Sequence, residues 1–323
     1  MKLAHLFYSD RPDMSWTLCR QMGIRYAVGK LAPELTGREP VWDYDSLATA
    51  KKTFSDNGFD LVALEGDQFD MTRIKLGLPG RDEDAENYRR MLRNMGALGI
   101  TTLCYNFMQT GWFRTRKDIP ERGGALVTGF DSSEAEKLPW KEYAPVSAEQ
   151  IWDNYRWFIR EVIPAAEEAG VRMCLHPDDP PYPCIEGIGR AFISPEAIKK
   201  AMSLSDSPSH GLTFCQGTFK TMGADIPSFF PEVKDRVVFI HFRDVIGDAG
   251  HFHETFHDNG PTDMAAMLKV YLDNGFDGLI RSDHVPTMAG DDNSRPGYSI
   301  NGTLFGTGYL KGMLDATDSP VIL

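Results

Sequence analysis

The sequence predicts a (β/α)8 barrel forming one catalytic domain over residues 1–323, and three observations carry that prediction. Strand-like and helix-like stretches alternate eight times in strict order, as in barrels and doubly wound sheets. The turns from helix to strand are short and marked by glycine, at Gly23, Gly58, Gly99, Gly170 and Gly275. The segments from strand to helix are long: 66–83, 107–146, 177–193, 243–261 and 284–301. A barrel gathers all of its strand-to-helix loops on one face, where the chemistry sits.

The elements follow in order. Lys2 to Tyr8 reads as the first strand, and Asp13 to Met22 as a helix that Gly23 ends. Ile24 to Val28 is the second strand, followed by an amphipathic helix from Asp43 to Asn57. Asp60 to Glu65, a helix from Asp84 to Leu98, and Ile100 to Asn106 supply the next three elements. Ser147 is placed to cap a long helix that reaches Ala169, with Pro164 as a possible kink. Val171 to His176 is the fifth strand, and Ser194-Pro195-Glu196 opens the helix after it with a cap and a first-turn proline. Leu212 to Cys215, Val237 to Phe242 and Gly278 to Asp283 complete the strands. Helices fall near Ile226 to Lys234, Thr262 to Asn274 and Gly302 to Ala316.

Composition narrows the function. With 42% hydrophobic and 25% charged residues the chain is ordinary globular protein, long enough for a large core. A net charge of -12 without any Lys/Arg run argues against nucleic-acid binding. No apolar run approaches the roughly 20 residues needed to cross a bilayer, and the apolar start is too short for a signal peptide. Five scattered cysteines do not form a disulfide framework, so a reducing cytoplasm is expected.

Four predicted strands end on residues that bind metals: His176, Cys215, His241 and Asp283. Their separations of 39, 26 and 42 residues are barrel-unit spacings and not a local clip. Side chains alternate along a strand, so Cys174, Thr213, Phe239 and Arg281 should lie one layer deeper on the same inner face. Taken singly, each of the four has an ordinary explanation: inert core cysteine, hydrogen-bonded histidine, helix-capping aspartate. Equivalent positions on four consecutive strands favour a divalent cation, with manganese, iron and zinc all compatible with two imidazoles, a thiolate and a carboxylate.

Longer stretches resemble the mannonate dehydratases, within the xylose-isomerase-like barrels, across nearly the whole chain from about Ala85. They include Asn87-Tyr88, Cys104-Tyr105-Asn106-Phe107-Met108, Trp112 with Arg114-Thr115, and His176-Pro177-Asp178-Asp179-Pro180-Pro181. Gly211-Leu212-Thr213 with Cys215, His241 with Arg243, Phe252-His253-Glu254, Asp283-His284 and Pro296-Gly297-Tyr298-Ser299 follow in the same order. The resemblance implies a hydro-lyase that converts D-mannonate to 2-keto-3-deoxy-D-gluconate and water. It implies that His176, Cys215, His241 and Asp283 hold the metal, Mn²⁺ in most relatives with Fe²⁺ or Zn²⁺ as alternatives, and that His284 and Tyr298 exchange protons. Departures fall in loops that would meet substrate. Gly29-Lys30-Leu31-Ala32-Pro33 lacks the histidine pair usual there, and Val285-Pro286 replaces a glycine. The loop from Lys30 to Pro40 is therefore expected to make mannonate a poorer substrate than the preferred acid.

Other residues complete the expectation. Arg114 and Arg243 suit a substrate carboxylate, which guanidinium meets with two parallel hydrogen bonds. Asp178, Asp179 and His253 are candidates for substrate contact, with His251 and His257 solvated. Arg281 either grips substrate or pairs with Glu65. Tyr298, in a Gly-containing loop able to close over the site, is expected to have its pKa lowered by the cation. The partner is a small sugar acid, and a homo-oligomer is expected. The rival readings are a metal-dependent sugar isomerase or epimerase and a sugar-acid-binding protein with a structural metal.

Overall fold

The computed structural model describes residues 1–317; the tail from Asp318 to Leu323, which carries no functional signal in the sequence, lies outside the described residues. Eight parallel strands close into a barrel among the described residues: Lys2–Phe7, Tyr26–Gly29, Asp60–Glu65, Thr102–Tyr105, Arg172–Leu175, His210–Cys215, Val237–Phe242 and Leu279–Ser282. Each pairs with its neighbour in sequence, and the first closes on the eighth through Lys2 opposite Leu279.

Period-two alternation sorts the side chains. Leu3, Phe7, Leu61, Met173, Phe214 and Ile240 point outward into the large apolar layer under the helices. Ala4, Leu6, Val28, Ala63, Cys104, Phe239 and Leu279 fill the barrel interior. The expected helix after the fourth strand runs from Ala148 to Ala169. Ser147 and Gln150 close a capping box at its start, and Gly170 ends it at φ 66°, a backbone that favours glycine. The helix continues through Pro164.

The long loops are more ordered than the sequence suggested. Arg116–Pro120, Leu126–Asp131, His251–Glu254 and Val245–Asp248 form a four-stranded antiparallel sheet over the loop face. It joins the loop after the fourth barrel strand to the loop after the seventh. Its strands are short and the outer one, Arg-Lys-Asp-Ile-Pro, is mostly exposed. A local hydrophobic pattern does not reveal such pairing. A short helix, Gln216–Thr221, also follows Cys215 directly.

Candidate active site

Strand register brings the expected metal ligands together. Cys215, the last residue of the sixth strand, lies opposite His241 in the seventh. His176 follows the fifth strand, and its amide donates to the Tyr105 carbonyl at 2.7 Å. Donor atoms of His176, Cys215 and His241 all lie within 4.8 Å of one another. The His176 Nδ1 is 2.6 Å from the Pro177 carbonyl, so it carries the proton and leaves Nε2 free as a ligand. Both ring nitrogens of His241 are buried without a hydrogen bond of good geometry among the described residues, with Glu65 3.4 Å from Nε2 and Asp283 3.6 Å from Nδ1. Burial alone would raise the Cys215 thiol, but the Arg243 guanidinium and the His176 ring outweigh it and hold the thiol well below its usual value.

Asp283 stands at the edge of this group. One oxygen accepts from Arg281 at 2.8 Å, and the other is 3.3 Å from Arg243 and 3.6 Å from His241. Glu65 and Cys104 form a second possible donor group with His241, which the sequence did not single out. Arg281 pairs with Glu65 at 2.5 Å and so takes the structural alternative. Charge supports a cation here. Three guanidiniums, Arg114, Arg243 and Arg281, are interlocked with four carboxylates, Asp179, Glu254, Asp283 and Glu65, and with the Cys215 thiolate. The carboxylates and the thiolate outnumber the guanidiniums by two; burial lowers the His176 ring but the Cys215 thiolate lifts it to about 9, so this imidazolium supplies part of the balance that a divalent cation would supply when bound.

The sugar-acid grip expected of Arg114 and Arg243 is not what the geometry offers. Arg114 donates to Asp179 at 2.7 and 3.0 Å and to Glu254 at 2.6 Å. Arg243 donates to Glu254 and Asp179, both at 2.7 Å, and to Thr218 at 3.0 Å. Gly217 admits this guanidinium: a Cβ there would stand 2.6 Å from Arg243 Nη1. The terminal nitrogens of both arginines are engaged, while Arg114 Nε has no hydrogen-bond partner among the described residues, so the two guanidiniums brace the strands that carry Cys215 and His241 against the covering sheet. Asp178 is likewise turned to its own loop, accepting from the Ala191 and Phe192 amides at 2.9 and 3.0 Å. None of Arg114, Asp178, Asp179, Arg243 and His253 is among the residues lining the cavity over the metal group. His251 is exposed as expected, but His257 is buried and donates to the Phe242 carbonyl at 2.8 Å.

The expected proton-transfer pair does meet. The eighth strand stops at Ser282, and His284 takes φ 40°, a left-handed backbone that costs a non-glycine residue roughly 1 kcal/mol. This turn swings the ring back over the site. Its Nδ1 lies 3.0 Å from Glu254 Oε1 and its Nε2 2.9 Å from the Tyr298 hydroxyl. Burial raises Glu254, yet Arg243, His284 and Arg114 more than reverse this and keep it ionised. An ionised Glu254 can only accept, so Nδ1 carries the imidazole proton and Nε2 accepts from the phenol. Burial, and then the neighbouring Tyr8, push Tyr298 well above the usual phenol value. The protein's own groups therefore raise this phenol, whereas the lowering expected from the sequence is an effect of a bound cation. Val285 N bonds to Gly297 O at 2.8 Å and fixes the Tyr298 loop beside His284.

A cavity of about 180 Å³ lies over this arrangement, walled by His176, His241, Asp283, His284 and Tyr298 on one side and by Tyr8, Lys30 and Gly66 on the other. A buried group of metal-ligand residue types, a protonated phenol and an imidazole that accepts from that phenol face the same cavity, at the strand ends where barrel enzymes work. Together they define an acid–base barrel enzyme acting on a small polar molecule.

Comparison with known proteins gives the family. The D-mannonate dehydratase (UxuA) family model matches residues 1–142 and 134–321. The mannonate dehydratase of Enterococcus faecalis is 33% identical, covering 91% of both chains. That of Shouchella clausii is 33% identical over 98% of this chain and 97% of its own. The crystal structure of mannonate dehydratase from Streptococcus suis superposes with a TM-score of 0.89 at 29% identity, covering 100% of this chain and 97% of that one. The chain belongs to the mannonate dehydratase family and is a sugar-acid dehydratase of the hydro-lyase class. A D-tagatose 3-epimerase-like protein, 14% identical with a TM-score of 0.62, shares the fold alone.

Proposed function

We propose that the protein removes water from a six-carbon sugar acid, D-mannonate or a close relative, to give a 2-keto-3-deoxy acid. His176, Cys215, His241 and Asp283 would hold a divalent cation, Mn²⁺ by family likeness, with Fe²⁺ and Zn²⁺ also compatible with a thiolate-containing donor set. When bound, the cation supplies positive charge for the enediolate formed when the C2 proton leaves. His284 Nε2 is the base that takes that proton once the Tyr298 hydroxyl turns to the substrate, because Glu254 occupies the other nitrogen. Tyr298 is the acid that protonates the departing C3 hydroxyl, so one water leaves and the enol becomes the ketone. Arg114, Asp179 and Arg243 act behind the site by keeping Glu254 and the ligand strands in place.

The observation that carries this reading is the His284 ring held between Glu254 and Tyr298 at 3.0 and 2.9 Å. The test is a screen of sugar acids with the Mn²⁺-loaded protein for 2-keto-3-deoxy products, followed by solvent-deuterium exchange. Tyr298→Phe should still exchange the C2 proton into recovered substrate while forming little product, and His284→Ala should do neither. Exchange surviving in His284→Ala would reverse the roles. The residues 1–323 are read as one catalytic domain, acting in the cytoplasm as a homo-oligomer. Among the described residues no helix is long and apolar enough to cross a membrane.

A further inference from the structure

The wall opposite the proposed metal group carries a charge that nothing among the described residues answers. Lys30 follows the second strand, four strands round the barrel from the sixth in either direction. Its amide donates to the Phe7 carbonyl at 2.9 Å, which ties the backbone to the first strand. The side chain lies over Gly66: a Cβ built there would meet its Cδ, Cε and Nζ at 3.7 to 3.8 Å. From there it borders the same cavity as His176, His241 and Tyr298. Lys30 is half-buried, and its ammonium has no hydrogen bond or ion pair among the described residues. The nearby carboxylates are engaged elsewhere, Glu65 by Arg281 at 2.5 Å and Asp67 by Lys75 at 2.6 Å.

An ammonium partly withdrawn from water and left without a counter-ion is worth keeping only where a ligand supplies one. The reacting end of a sugar acid belongs at the metal group and the His284–Tyr298 pair. Its far end then points across the cavity toward Lys30. We propose that Lys30 is a specificity-determining residue that binds a second carboxylate at that far end, so that the preferred substrates are dicarboxylic six-carbon sugar acids. One ammonium matches one carboxylate. A phosphate dianion would bring a second charge close to Asp67 with no further cation on this wall. The inference rests on the dehydratase reading and adds to it the charge at the remote end of the substrate.

The test compares D-mannonate with D-mannarate, which differ only in whether C6 is an alcohol or a carboxylate. Both are assayed with the Mn²⁺-loaded wild type, Lys30→Met and Lys30→Arg, with metal content confirming that each variant is folded. The wild type is expected to have the higher kcat/KM on mannarate. Lys30→Met should lower the mannarate-to-mannonate ratio of kcat/KM by tenfold or more, mainly through KM, and Lys30→Arg should retain most of the ratio. A wild type that prefers mannonate, or a ratio that moves less than tenfold in Lys30→Met, overturns the role of Lys30 and leaves the dehydratase reading standing. Absence of elimination from either acid and from every other sugar acid in the screen removes the dehydratase reading itself, and this inference with it.

Discussion

The two walls of the cavity are built on opposite principles. On the side of the fifth to eighth strands, every charge is tied to another: Arg114, Arg243 and Arg281 each bind carboxylates at 3.0 Å or less, and their side chains are at most 3% exposed. On the side of the first three strands, Tyr8 and Lys30 face the cavity beside Glu65 and Asp67, which are paired with Arg281 and Lys75, and the Lys30 side chain has no polar partner among the described residues. A fully paired buried network is rigid, because any one of its charges left alone in low dielectric is costly. The first wall therefore holds catalytic geometry, and the second is free to vary with substrate. The difference teaches that charge near an active site is not by itself evidence of substrate contact. The engaged arginines support, and the unengaged lysine selects.

The contrast makes graded predictions. Cys215→Ser should have the largest effect. A harder, more basic oxygen replaces the thiolate in a site shaped for it, so metal affinity should fall more than ~100-fold, beyond the loss seen for outer-shell changes, and turnover should drop to background. Elemental analysis of purified protein checks this, and full metal occupancy in the variant would remove Cys215 from the ligand set. Tyr298→Phe should retain metal and a near-normal KM yet lose ~10²–10⁴-fold in kcat, the range for a general acid. Steady-state kinetics decides it.

Glu254→Gln tests the engaged wall itself. It keeps the shape but leaves Arg114 and Arg243 short of a negative charge, so it should cost about 3–5 kcal/mol of stability. Urea unfolding measures the loss, and a cost under 1 kcal/mol would show that the network is looser than its distances. Gly217→Ala acts on the same wall by volume. Its methyl would press on the Arg243 guanidinium, with an expected cost of about 1–3 kcal/mol. On the opposite wall Lys30→Met should change stability by less than ~0.5 kcal/mol, as a surface substitution does. A large loss there would mean that Lys30 has a structural partner and that the two walls are alike.

The alternation of strands and helices, the glycine turns and the position at strand ends of four residues of metal-ligand type could all be read from the chain, because each depends on neighbours a few residues away. Strand period places Cys215 and His241 on the inner face, and barrel order places them side by side. The partners of the buried charges were not readable in this way. Arg114 and Glu254 are 140 residues apart in sequence and meet only because the covering sheet pairs loops from the fourth and seventh strands. That pairing converts two arginines suited to a substrate carboxylate into braces. It also sets Glu254 against His284 Nδ1, while Tyr8 and Trp112 pack on Tyr298 and burial raises its phenol. The direction of a pKa and the engagement of a guanidinium follow from what surrounds them in space, and burial in low dielectric makes those surroundings decisive.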